Sequence, residues 1–166
     1  VGAKITYKFG DRSETLSGNE IHNWLTVNGT SVSVSESKAA EYVKNLASAY
    51  NTAYKPKTLK TSYGKNVTIT TGSYGWKIDQ DGEVAQLTQE IQSGTQTTRE
   101  PVYSMRANSY GVNDLGNTYI EVDLTEQYMW YYQDGNVIFE SDIVSGLASD
   151  PERKTPPGIF TLYYKK

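Results

Sequence analysis

The chain has 166 residues, a formal net charge of −3 and 37% hydrophobic residues, enough for one medium domain or two small ones. It contains no cysteine, so these residues can supply no disulfide, thiolate or cysteine-ligated metal. Residues 1–116 carry 12 basic and 11 acidic side chains and residues 117–166 carry 4 and 8, so neither part shows the basic stripe of a nucleic-acid binder.

No apolar run approaches membrane-spanning length, and the opening VGAKITYKFG is not a signal peptide. Export would require a leader, and any membrane attachment an anchor, upstream of Val1. Tyrosines outnumber phenylalanines 14 to 3, so much of the apolar mass is amphipathic and suits half-exposed sheet faces. Together with abundant Ser, Thr, Asn and Gly, this composition suits a bacterial surface protein.

Ile5, Tyr7 and Phe9 alternate with Lys4, Thr6 and Lys8, the period of a half-buried strand. Ser17-Gly18-Asn19-Glu20 has the form of a capping box and predicts a short helix with Ile21, Trp24 and Leu25 on one face. Asn28-Gly29 between two β-branched runs predicts a type I′ hairpin. In SESKAAEYVKNLASAYN, Ala39, Val43, Leu46, Ala47 and Tyr50 recur at helical spacing and define the clearest amphipathic helix, with Lys55-Pro56 beyond it. The β-branched segment after Thr58, split by Gly64, predicts a hairpin and then a strand through Trp76 and Ile78. A second helix is expected over about Glu83 to Ser93, with Val84, Leu87 and Ile91 inward, Asp79 or Asp81 capping and Gly94 as its stop.

Residues 106–117 are polar and aperiodic and predict a linker. Beyond them the pattern is pure strand. Ile120, Val122 and Leu124 alternate with acids, Tyr128, Trp130 and Tyr132 face opposite Met129 and Tyr131, and Asp134-Gly135 turns the chain into NVIFESDIVSG. Pro156-Pro157-Gly158 forms a rigid turn that launches a last strand, Ile159 to Tyr164. The expected fold is an α+β N-terminal domain (1–105) with two main helices against a mixed sheet, the linker 106–117, and an incomplete all-β domain (118–166). Fifty residues of meander leave an unpaired edge and one uncovered face, which predicts further sequence after Lys166.

Two stretches resemble a known family. The order Ile120, Val122, Asp123, Leu124, Gln127, Asp134, Gly135, Gly146, Thr155, Pro156, Gly158, Phe160 resembles the opening of the bacterial L,D-transpeptidase catalytic domain. Tyr74-Gly75-Trp76, Asp79, Leu87 and Pro101 resemble the peptidoglycan-binding domain that precedes it in the enterococcal type. The resemblance implies an exported cell-wall enzyme of a Gram-positive bacterium. Such an enzyme attacks the L,D peptide bond of a tetrapeptide stem and passes the acyl group to an amine acceptor.

The resemblance further implies a monomer without cofactor or metal, with peptidoglycan stem peptides and glycan as partners and carbapenem-type inhibitors of the full-length enzyme. The family's nucleophile is a cysteine in a Ser/Thr-His-Gly-Cys motif with a second histidine upstream. With no cysteine and only His22, these residues contain no catalytic group. That motif is expected downstream of Lys166, and the 166 residues alone are expected to be inactive. Asp123, Gln127, Gly135, Gly146, Pro156 and Gly158 are then structural motif residues. Trp76, with Tyr74 beside it, is the candidate for glycan contact, set against buried packing because Ile78 follows on the same face.

Other patterns have blander readings. His22 lacks a clustered partner. Asp79, Asp81, Glu83 and Glu90 imitate an EF-hand, but Gly82 falls at the wrong position and the segment reads as helix. Ser35-x-x-Lys38 and Ser62-x-x-Lys65 match the Ser-x-x-Lys of penicillin-binding serine enzymes without the accompanying Lys-Thr-Gly. The tyrosines and Trp130 of the aromatic strand read as core and interface packing, with stacking on sugars as the competing role. Two non-catalytic alternatives remain: a wall-binding module made mainly of residues 1–105, and an adhesin-like surface spacer whose open edge takes a partner strand.

Overall fold

Strand β1 (Lys4–Phe9) buries Ile5, Tyr7 and Phe9 on one side, as its period-two pattern requires, and forms the middle of a three-stranded sheet. Its neighbours in this computed structural model, which describes residues 2–163, are antiparallel β2 (Arg12–Leu16) and parallel β8 (Gln96–Arg99). Helix α1 (Gly18–His22) carries the capping box of Ser17 and Glu20 but stops at His22, so Trp24 lies in a turn and Leu25 opens β3 (Leu25–Asn28). Strands β3 and β4 (Ser31–Val34) pair across a two-residue turn. That turn is Gly29-Thr30 rather than the expected Asn28-Gly29, with only Gly29 at positive φ (62°).

Helix α2 (Glu36–Tyr50) buries Ala39, Val43, Leu46 and Ala47 as its stripe predicts, and Tyr50 stacks on Phe9 with centroids 3.6 Å apart. Helix α3 (Gln80–Gln92) is capped by Asp79, whose carboxylate accepts from Gly82 N. Its buried residues are Glu83, Leu87 and Ile91. Val84, expected inward, is only half-buried, because Glu83 takes the inward place. Strands β7 (Lys77–Ile78) and β9 (Tyr103–Met105) form a two-stranded ladder.

The remaining strands are β5 (Lys57–Lys60) and β6 (Asn66–Ile69), a hairpin, and β10 (Tyr119–Asp123), β11 (Tyr128–Gln133) and β12 (Asn136–Asp142), an antiparallel sheet in that order. Asp134 (φ 50°) and Gly135 (φ 82°) form the expected turn, and their two positive φ values are those of type I′. Register puts Ile120 and Val122 beside Tyr131 and Met129, and Phe139 beside Tyr131. Ile120, Val122 and Phe139 on that face are each about half exposed.

The chain divides into two units that do not follow the sequence in order: residues 1–52 with 76–106, and 53–75 with 107–166. The first is α+β and the second all-β, as expected, and these compact units interleave along the chain, whereas the expected division at 105, 106–117 and 118 runs in sequence order. Hairpin β5–β6 belongs with the second unit, where Lys57 pairs with Asp114 and Tyr63 packs on Trp130. Nor are 106–117 a free linker, since Asp114 is buried and its carbonyl accepts from Tyr74 Oη. The expected last strand is also corrected. Ile159 makes a single parallel bridge to Gly72, residues 160–163 are not strand, and Tyr164 lies outside the described residues.

Candidate functional site

In the all-β unit the motif residues share one task, holding the segment that leaves β12. Asp123 Oδ1 accepts from Thr125 N (2.9 Å) and Glu126 N (3.0 Å), an Asx turn that reverses the chain after β10. Gln127 follows at φ 54°, an uncommon conformation for a residue with a side chain. Its Nε2 donates to Leu124 O (2.6 Å) and Ser145 Oγ (2.7 Å), its Oε1 accepts from Ser145 N (2.7 Å), and its carbonyl accepts from Ile143 N (2.9 Å). One side chain thus ties the β10–β11 turn to residues 143–145.

Gly146 N then donates to Thr155 Oγ1 (2.8 Å), and a Cβ at 146 would lie 1.9 Å from Arg153 O, so only glycine fits. Pro157 O accepts from Thr71 Oγ1 (2.8 Å), Ile159 N donates to Thr71 O (3.2 Å), and Ser73 N donates to Ile159 O (3.1 Å). Gly158, at φ 150°, lies close under the Phe160 ring. The Pro-Pro-Gly turn therefore docks residues 157–159 onto 71–73. This is a positioning scaffold, whose Asp123 carboxylate and Ser145, Thr71 and Thr155 hydroxyls are engaged in hydrogen bonds within it.

The two glycan-contact candidates flank Gly75, where the all-β unit's segment ends at 75 and the α+β unit resumes at Trp76. Each is only 6% exposed. The Trp76 ring packs on Tyr103 (4.8 Å) with the Arg106 guanidinium 6.0 Å away, and Tyr74 Oη donates to Asp114 O and accepts from Asn108 N (2.7 Å). Burial leaves neither ring an open face for a sugar, which favours the packing role over glycan contact.

The carboxylates of the EF-hand-like run have other partners. Asp79 caps α3, while Glu83 and Glu90 hold Arg99. Among the described residues no group of three or more His, Cys, Asp and Glu side chains is placed to hold a metal ion. His22 is exposed. Ser35 is the N-cap of α2, Lys38 Nζ donates to Asn23 O, and Ser62 bonds to Glu121 and Tyr132 rather than to Lys65. Neither Ser-x-x-Lys match forms a catalytic pair.

What local pattern missed is a charged cluster within the α+β unit. Glu83, with no solvent exposure, accepts from Tyr7 Oη (2.7 Å), from Arg99 Nη2 (2.7 Å) and Nη1 (2.9 Å), and from Val102 N (2.7 Å). Arg99 Nε also donates to Glu90 (2.8 Å). Burial, and then the Glu83 charge and hydrogen bond, push the Tyr7 phenol far above its ordinary value. For Arg99, burial acts downward but the bonds to Glu83 and Glu90 outweigh it and raise its pKa. A signal was available: Glu83 and Glu90 lie seven residues apart on the same helical stripe as Leu87, and an acid on an inward stripe demands a buried cation.

Known proteins resemble the chain in two consecutive stretches. The family model described as "Putative peptidoglycan binding domain" matches residues 1–99, and the L,D-transpeptidase catalytic domain model matches 117–166. No curated protein matches the chain in sequence. Among solved structures, the Ldtfm–avibactam carbamoyl enzyme superposes with a TM-score of 0.67 at 35% identity, covering 94% of this chain and 60% of that one. A cysteine-to-serine mutant of Enterococcus faecium L,D-transpeptidase gives 0.66 at 36% identity, covering 94% and 61%.

These likenesses define a two-part class in which an α+β domain of the peptidoglycan-binding family precedes a transpeptidase β domain. The chain belongs to the family of the peptidoglycan-binding domain, is similar over residues 117–166 to the L,D-transpeptidase catalytic domain, and spans about three-fifths of the length of the relatives it matches.

Proposed function

We propose that the protein containing these residues is a peptidoglycan L,D-transpeptidase. A cysteine thiolate attacks the carbonyl of the L,D bond in a tetrapeptide stem, expelling the terminal residue as its amine and forming a thioester. An acceptor amine then attacks the thioester, the new amide forms, and the thiolate leaves. The 166 residues hold no cysteine, so the thiol and its histidine base are assigned to the share of the relatives that this chain does not cover. Placement outside the cytoplasm at a Gram-positive wall, and acylation by carbapenem-type inhibitors, belong to the same reading.

The observation that supports it best is the Gln127–Ser145 and Gly146–Thr155 scaffold, built by the motif residues inside the matched catalytic segment. The test incubates the protein encoded by the whole gene with disaccharide-tetrapeptide and reads cross-linked dimer by mass spectrometry. Dimer formation abolished by a carbapenem is expected. Absence of both dimer and carbapenem adduct refutes the assignment, and the 166 residues alone are expected to yield neither.

The match of residues 1–99 to the peptidoglycan-binding family supports a second, non-catalytic role, that of a wall-binding or spacer module. Co-sedimentation of the chain with purified sacculi tests it, and retention no greater than that of an unrelated domain of equal size counts against it.

A further inference from the structure

The β5–β6 hairpin lies, in sequence, inside the stretch matched to peptidoglycan binding, yet its bonds are with the all-β unit. We propose that it is a working part of the transpeptidase unit, a strap across the aromatic face of β10–β11 that fixes those strands and keeps Trp130 dry. The assignment of that unit to transpeptidase chemistry rests on the function proposed above; the strap itself rests on the following geometry.

Both ends of the hairpin are fastened. At its base, Lys57 Nζ pairs with Asp114 Oδ2 at 2.8 Å with both side chains almost fully buried. Residues 71–73, just past β6, bond to 157–159. At its tip, Thr61 N donates to Lys65 O (2.8 Å), and Gly64 at φ 79° closes the turn. Glu121 of β10 accepts from Ser62 N through both carboxylate oxygens (2.9 and 3.2 Å) and from Ser62 Oγ (2.8 Å). Ser62 Oγ also lies 2.7 Å from the Tyr132 hydroxyl of β11.

Tyr63 then stands edge-on to Trp130, with centroids 5.0 Å apart and planes at 89°. Trp130 is 7% exposed on a three-stranded sheet whose opposite face is open at Ile120, Val122 and Phe139. A two-stranded hairpin of this size has little stability alone, so its order and that of the sheet beneath depend on each other.

The experiment is amide hydrogen exchange on the chain, read separately for peptides from 57–69, 119–133, α2 and α3, in the parent and in Glu121→Ala and Ser62→Ala. Glu121→Ala removes the charged acceptor and leaves Ser62 N–H unpaired. Exchange in 57–69 and 119–133 is expected to quicken about tenfold, while α2 and α3 stay at parent rates. Ser62→Ala keeps the backbone bond and is expected to produce a smaller change in the same two peptides. The proposal is overturned if both variants leave 57–69 within about twofold of the parent, or if Ser62→Ala quickens α2 and α3 as much as the hairpin.

In the whole enzyme the same substitutions are expected to slow acyl transfer and leave sacculus retention unchanged, and the reverse pattern overturns the assignment to the transpeptidase unit. A parent protein without transfer activity refutes the proposed function instead, and the exchange pattern still decides the strap.

Discussion

Replacing Arg99 with Met is expected to destabilise the α+β unit by about 3 kcal/mol, as for a buried ion pair that loses one partner. The side chains of Arg99, Glu83 and Glu90 are 14%, 0% and 14% exposed, so solvent can do little to rescue the carboxylates. Met keeps the apolar stem but removes both guanidinium bonds to Glu83 and both to Glu90. Glu83 retains Tyr7 Oη and Val102 N, each at 2.7 Å, which places the loss toward the lower end of the usual 3–5 kcal/mol range. Adding Glu83→Leu removes the stranded charge and is expected to recover at least about 1 kcal/mol, since apolar replacement of a buried pair is often neutral. Because the chain has two units, a single unfolding curve would mix them. The assay is therefore urea-dependent hydrogen exchange of α3 peptides. A loss under about 1 kcal/mol for Arg99→Met, or further loss on adding Glu83→Leu, refutes the claim that this pair is a coupled, desolvated unit.

Four further outcomes are expected. Tyr7 has a folded pKa raised above its unfolded value, so its contribution is fully present below about pH 10 and is lost as pH rises beyond it. Stability of the α+β unit is expected to fall by up to about 1.4 kcal/mol per pH unit above pH 10, with a shallower slope in Tyr7→Phe; equal slopes in alkaline urea titrations count against it. Gly146→Ala forces a Cβ to within 1.9 Å of Arg153 O and is expected to cost the all-β unit about 2 kcal/mol or more in thermal melts. Gly29→Ala, at φ 62° but in open space, is expected to cost only about 1 kcal/mol. Gln127→Ala breaks three bonds to Leu124 and Ser145, so exchange across 143–155 is expected to quicken while α2 is unaffected, and protection equal to the parent refutes the latch.

Local pattern carried far in this chain where one segment decides its own conformation. The stripe from Ala39 to Ala47 is helix α2, the alternation at Ile5, Tyr7 and Phe9 is β1, and Asp134-Gly135 is the turn between β11 and β12. The ordered motif from Asp123 to Gly158 was legible for a related reason, since Asx turns and positive φ values demand particular residues at particular steps. It failed where a residue's role depends on a partner far along the chain. Trp76 and Tyr74 looked alike beside a glycine bend, but Tyr103 covers one and the 108–114 segment the other.

Which stretches are strand or helix, and which family their motifs resemble, follow from short-range pattern alone, because backbone geometry and periodicity act over a few neighbouring residues. Long-range packing sets the rest: hairpin β5–β6 groups with residues 107–163, Glu83 rather than Val84 takes the inward place on α3, and Ile159 meets Gly72 in one bridge instead of opening a strand. Each of those depends on desolvating a charge, an aromatic ring or a backbone amide against a partner supplied from elsewhere in the chain, in a contact such as Lys57–Asp114 that spans 57 residues.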